Sequence, residues 1–137
     1  MAEGRIPIPG SEVRRRPDAR PSDPADSDQR IKATIVLRRH ADRIKGADPE
    51  ELRQVVEFAR GCGLQVLEES VPKRMVRVAG TVGELNAAFG ISLRCFGSSA
   101  SGGAYLSYEG PLTVPDRLAG CILAVLGLHQ APVARPR

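Results

Sequence analysis

Two helix-start signatures, each set between strand-like runs, constrain this 137-residue chain more than any other feature. Asp48-Pro49-Glu50-Glu51 offers a capping aspartate, a proline suited to the first helical position and a glutamate at capping-box spacing. Leu52, Val55, Val56 and Ala59 then recur at helical spacing, Phe58 and Cys62 widen the stripe, and Gly63 supplies a left-handed stop. Thr81-Val82-Gly83-Glu84 is a second capping box, leading through Leu85, Ala88 and Phe89 to Gly90. Residues 31–38 alternate, with Ile31, Ala33, Ile35 and Leu37 on one side and Lys32, Thr34 and Arg38 on the other. Leu64 to Glu69 and Met75 to Ala79 read as short strands joined by a turn at Pro72, and Ile91 to Cys95 as the next strand.

The order β-α-β-β-α-β predicts an α+β fold: a ferredoxin-like split β-α-β, an antiparallel four-stranded sheet with both helices on one face. The opposite face is then uncovered. Beyond it, residues 97–103 are a Gly- and Ser-rich loop tip, and Ala104 to Glu109 return from it as a hairpin strand. The spacing of Leu118, Ile122 and Leu126 predicts a last helix from Pro115 towards Gly127.

Residues 1–29 carry Pro7, Pro9, Pro17, Pro21 and Pro24 among charges, which predicts an extended, flexible arm that contributes little to the core. Residues 30–128 are then the folded domain and 129–137 a trailing linker. Twenty basic and sixteen acidic residues give a net charge of +4, but the two signs are interspersed, so the surface is read as mixed. Cys62, Cys95 and Cys121 lack metal-ligand spacing and read as buried free thiols.

Catalysis is not supported by these residues. His40 and His129 lie at element ends, no strand-turn serine elbow occurs, and no paired carboxylates share an evident pocket. Ser98, Ser99 and Ser101 read as loop serines, and neither glycine cluster completes a phosphate-binding or dinucleotide motif, so no cofactor or metal is expected. A stand-alone ferredoxin-like module binding nucleic acid or protein is the alternative, but the strands lack stacking aromatics, and aspartates follow Arg14-Arg15-Arg16 closely. No nucleic-acid partner is therefore expected. No apolar run approaches the ~20 residues of a membrane span, so no membrane association is expected either, and residues 1–5 show no signal core.

Four segments in order carry a family resemblance: Arg5-Ile6-Pro7-Ile8-Pro9-Gly10-Ser11, Gly80 through Gly90, Tyr105 through Pro111, and Val114-Pro115-Asp116-Arg117-Leu118-Ala119-Gly120 running into Val125-Leu126-Gly127-Leu128. Together they resemble the pro-kumamolisin activation domain, the propeptide of sedolisins, which are serine-carboxyl peptidases. The resemblance implies a propeptide, similar in fold to subtilisin propeptides, that acts as intramolecular chaperone and pH-released inhibitor of a catalytic domain in cis or in trans. It also implies a secreted parent enzyme, and that this chain, lacking the catalytic Ser-Glu-Asp domain, is not itself the enzyme. Thr34, Val36, Met75 and Arg77 are the expected partner-binding residues of the sheet, the rival reading being that theirs is the face the helices cover. His129, Pro132, Val133, Ala134 and Arg135 would begin the linker that enters the active-site cleft, and Glu109 and Asp116 are candidate pH-sensitive carboxylates.

Overall fold

A computed structural model describes residues 4–13, 19–24, 28–38, 46–98 and 103–128. Its centre is an antiparallel four-stranded sheet in the order β4(Gln65–Ser70), β5(Met75–Thr81), β3(Arg30–Leu37), β9(Ile122–Leu126). Helices α1(Pro49–Gly61) and α2(Val82–Phe89) complete the β-α-β-β-α-β frame, so the ferredoxin-like α+β architecture expected from the sequence is present. The alternation in β3 does what its pattern dictates. Ile31, Ala33, Ile35 and Leu37 are buried with Leu52, Val55, Val56, Phe58 and Ala59 of α1 and Val82, Leu85, Ala88 and Phe89 of α2 in one core. Phe58 and Phe89 meet edge to face, ring centroids 6.2 Å apart, tying the two helices together.

Both helix starts are capped, but the reciprocal capping box expected at each is seen at the second. The Asp48 carboxylate accepts from the Glu50 N–H at 2.9 Å, and Glu51 turns towards the Cys121 thiol. At α2 the box is reciprocal: Thr81 Oγ1 accepts from Glu84 N–H at 3.1 Å, and Glu84 Oε1 accepts from Thr81 N–H at 2.9 Å. Gly90 ends α2 at φ 66°, where a Cβ would also collide with Thr113 Oγ1, so the position needs glycine twice over.

Three expectations fail here. Residues 91–95 do not supply the fourth strand of the main sheet. β6(Arg94–Ser98) instead lies between β2(Ala19–Pro24) and β7(Gly103–Ser107) in a separate three-stranded sheet, and Asn86 Oδ1 holds the intervening loop by accepting from Leu93 N–H at 2.8 Å. The predicted last helix shrinks to α3(Asp116–Ala119), which has no side-chain cap, and the chain then turns through Gly120 and Cys121 into β9. Ile122 and Val125 bury while Leu123 and Leu126 stay exposed, a pattern settled by pairing with β3 rather than by the four-residue spacing of Leu118, Ile122 and Leu126.

The third concerns the arm, which is extended but not apart from the core. β1(Arg5–Pro7) pairs with β8(Thr113–Pro115), Ile8 is only 3 % exposed, and Val13 bridges Gly110. Its prolines are compatible with this because β1 has a single partner, so no N–H is missing from a two-sided ladder.

Candidate docking face

Helices α1 and α2 share a core with one face of the main sheet, and among the described residues no helix is placed on the other. The register places Thr34 of β3 opposite Arg77 of β5 and Val36 opposite Met75, so the four expected partner-binding residues form one contiguous square. They sit on the strand positions that alternate with the buried ones: Thr34, Val36 and Met75 are half-buried and Arg77 is exposed. Around the square, Glu68 lies 3.6 Å from Arg77 and 3.8 Å from Lys73, both partly exposed pairs of small net worth in water. Such pairs leave the cations available to be re-paired by a partner.

The face extends further than the sequence indicated. Leu126 lies opposite Thr34 and Ala124 opposite Val36 from the β9 side. Leu126 is 55 % exposed and Leu123, at the β9 irregularity, 43 %, the two most exposed large apolar side chains among the described residues. Both escaped the sequence reading because the same residues fit a helix.

The chain has three phenylalanines, two tyrosines and no tryptophan. Phe58 and Phe89 are helical, Phe96 and Tyr105 stack across β6 and β7, and Tyr108 lies beyond β7. The main sheet therefore carries no aromatic residue, and the stacking platform of an RNA-recognition sheet is missing from it.

The candidate carboxylates sit elsewhere. Glu109 is exposed at the turn before the Val13–Gly110 bridge, and Asp116 is exposed at the start of α3, its N–H donating to Gly4 O at 2.9 Å. Neither belongs to a strand of the main sheet. The proposed linker residues His129, Pro132, Val133, Ala134 and Arg135 lie outside the described residues, as does His40. Among the described residues no His, Cys, Asp and Glu side chains cluster as a metal would require, and no helix is long and apolar enough to cross a membrane. Burial pushes the Cys62 thiol up against the opposing pull of Arg5 and Arg117. Cys121 is pushed up to about 11, by burial first and then by Glu51 and Asp48. Thiols in such surroundings stay protonated at neutral pH and make poor nucleophiles.

The arm and the end of α2 form the best-defined polar cluster. Arg5 donates through Nη2 to Ala88 O at 2.5 Å and Thr113 O at 3.0 Å, and Thr113 Oγ1 donates to Phe89 O at 3.2 Å. α2 has no basic residue in its own last turn, so Arg5 brings the cation that its carbonyl end favours from across the sequence. Ser11 works similarly: its Oγ donates to Ile8 O and accepts from Leu112 N–H, while Tyr108 Oη donates to Ser11 O. The residues of the arm's family motif are thus the ones that fasten it.

Sequence comparison decides what this architecture belongs to. The profile of the family described as pro-kumamolisin, activation domain, matches residues 38–131. The chain belongs to that family. It is also 32 % identical, over 161 aligned positions, to kumamolisin from Bacillus sp. (strain MN-32), an alignment covering 98 % of this chain and 29 % of that protein. The activation domain thus spans less than a third of the length of the relative it matches. Its motif segments map onto the strap made by β1 and Ser11, the capped helix α2, the end of β7, and the β8-α3-β9 return.

Proposed function

We propose that this activation domain escorts the folding of a kumamolisin-type catalytic domain and inhibits it until acid releases it. The observation that carries the reading is the sheet face around Thr34, Val36, Met75 and Arg77, contiguous, partly apolar and, among the described residues, without a helix on it. A surface that needs no reordering loses little entropy on docking. Residues 129–137 follow directly from that sheet, so a docked body holds them near the cleft at high effective concentration, and a weakly binding tail then inhibits well. The body supplies most of the affinity.

Acid release follows if carboxylates of either partner pair with Arg77, Lys32 or Lys73 at the interface. A carboxylate stabilised by a cation in the complex has a depressed pKa, so its contribution is present above its free value and disappears as pH falls through the bound value.

The test is inhibition of mature kumamolisin-type peptidase by the purified chain, titrated from near-neutral pH to acid, with refolding of the denatured peptidase followed in parallel. Tight inhibition that fades on acidification, with faster refolding, is the expected result. Val36→Glu should abolish both while the chain still unfolds cooperatively. Inhibition unaffected by pH and salt would remove the electrostatic part of the proposal, and no inhibition at any pH would remove the whole.

A further inference from the structure

The main sheet has two edges, and they are guarded unequally. β4 carries Glu68 and Glu69 and a register irregularity between Val66 and Glu68, the usual devices against strand addition. β9 reads Ile122-Leu123-Ala124-Val125-Leu126, with an irregularity of its own but no charge and no proline. Leu37 N–H donates to Arg74 O on the β5 side, and Arg38 N–H donates to Cys121 O on the β9 side. Even-numbered residues of β3 therefore bond to β9, so Ala124 and Leu126 turn their backbone groups inward and Val125 turns its N–H and C=O to the outer edge. Among the described residues no strand pairs with that edge.

Beside it lies a groove of about 400 Å³, lined by the arm from Ile8 to Val13, with Glu12 its one charged residue, by Tyr108 and by Leu123 to Leu126. The arm restricts what can enter. An extended chain laid along Val125 would run between β9 and the arm. The groove also joins the docking face, because Ala124 and Leu126 lie beside Val36 and Thr34.

We infer that the outer edge of β9, with this groove, is a strand-addition site that takes an extended segment, small or apolar at alternate positions, from the peptidase catalytic domain. This rests on the docking reading above and adds a second contact to it. Main-chain bonds to Val125 would fix the register of the complex, and the groove lined by Leu123 to Leu126 would select the segment.

The experiment is amide hydrogen exchange of the chain, free and bound to mature kumamolisin-type peptidase whose active serine is blocked. The expected result is that Val125 N–H exchanges at least about tenfold more slowly in the complex. In parallel, Leu123→Lys, a change at an exposed position, should weaken inhibition by about tenfold or more while the melting temperature holds. A complex that forms and is lost with Val36→Glu, yet leaves Val125 exchanging freely and tolerates Leu123→Lys, overturns the strand-addition site and leaves the docking face standing. No complex at all overturns both. Protection of Val125 in the free chain, together with sedimentation as a dimer, gives the edge to a second copy and also overturns the inference.

Discussion

Residues 30–90 and the rest of the described chain are built on different terms. The first region is a contiguous β-α-β-β-α run in which each element packs on one close to it in sequence, α1 on β4 and β5 and α2 on β5. The second region, the arm with residues 91–128, is joined by contacts across long stretches of chain: Arg5 to Thr113, Tyr108 to Ser11, Leu112 to Ser11. Its two smaller sheets both borrow a strand from the arm, β1 for β8 and β2 for β6. The first region supplies the frame, and the second completes it, since β9 closes the sheet only after the long return through β8 and α3.

The comparison breaks most visibly at Phe89, which is fully buried, stacks edgewise on Phe58 and carries the carbonyl that Thr113 bonds. Phe89→Ala should cost about 3–5 kcal/mol in urea unfolding and should loosen both regions together. Two separate transitions in the wild-type chain would instead show that the regions fold independently. Ile8→Ala tests whether the arm belongs to the core, and a loss of about 2–4 kcal/mol is expected at a site this buried. An unchanged unfolding midpoint would return the arm to the status of an appendage.

Two smaller effects sharpen the same contrast. Thr81→Ala removes a cap inside the first region, and Arg5→Gln removes the cation that the arm lends to the end of α2. Each should cost about 1 kcal/mol. Salt should reduce the Arg5 effect only, because the Thr81 bond is between neutral groups.

The smallest effect at neutral pH is at Cys121. Its thiol is held up to about 11 in the folded state, so the folded chain favours the protonated form. The associated stability is complete below the unfolded thiol pKa, about 8.5, and is lost as pH rises towards 11. Alkylation of Cys121 at pH 8 should therefore be slow and should speed up with unfolding, whereas fast labelling of the folded chain would contradict its burial.

What could be read in advance follows the same division. Asp48, Thr81 and the alternation of residues 31–38 are local signals, and local packing honours them, so the frame was legible, whereas which side of β3 and β5 the helices cover was not, because alternation alone does not say which set faces inward. β9 was not, because Leu118, Ile122 and Leu126 satisfy helical spacing and only the waiting edge of β3 decides for a strand. The arm was not either: Pro7 and Pro9 around Ile8 have the composition of an unfolded segment, and the partner that offsets its ordering entropy is about a hundred residues away. Leu123 and Leu126 were missed as surface residues for the same reason as β9 itself.

The strap between Arg5 and Thr113 has a consequence for synthesis. The two residues are 108 positions apart, so on a ribosome moving at ~5–20 residues per second the arm waits about 5–20 s for its partner to be made. β3 waits comparably for β9. The nascent frame of residues 30–90 can form early, but its unpaired edge and the unfastened arm persist until the return strand has left the exit tunnel. Completion of this fold is therefore timed to the emergence of whatever the ribosome makes after Leu128.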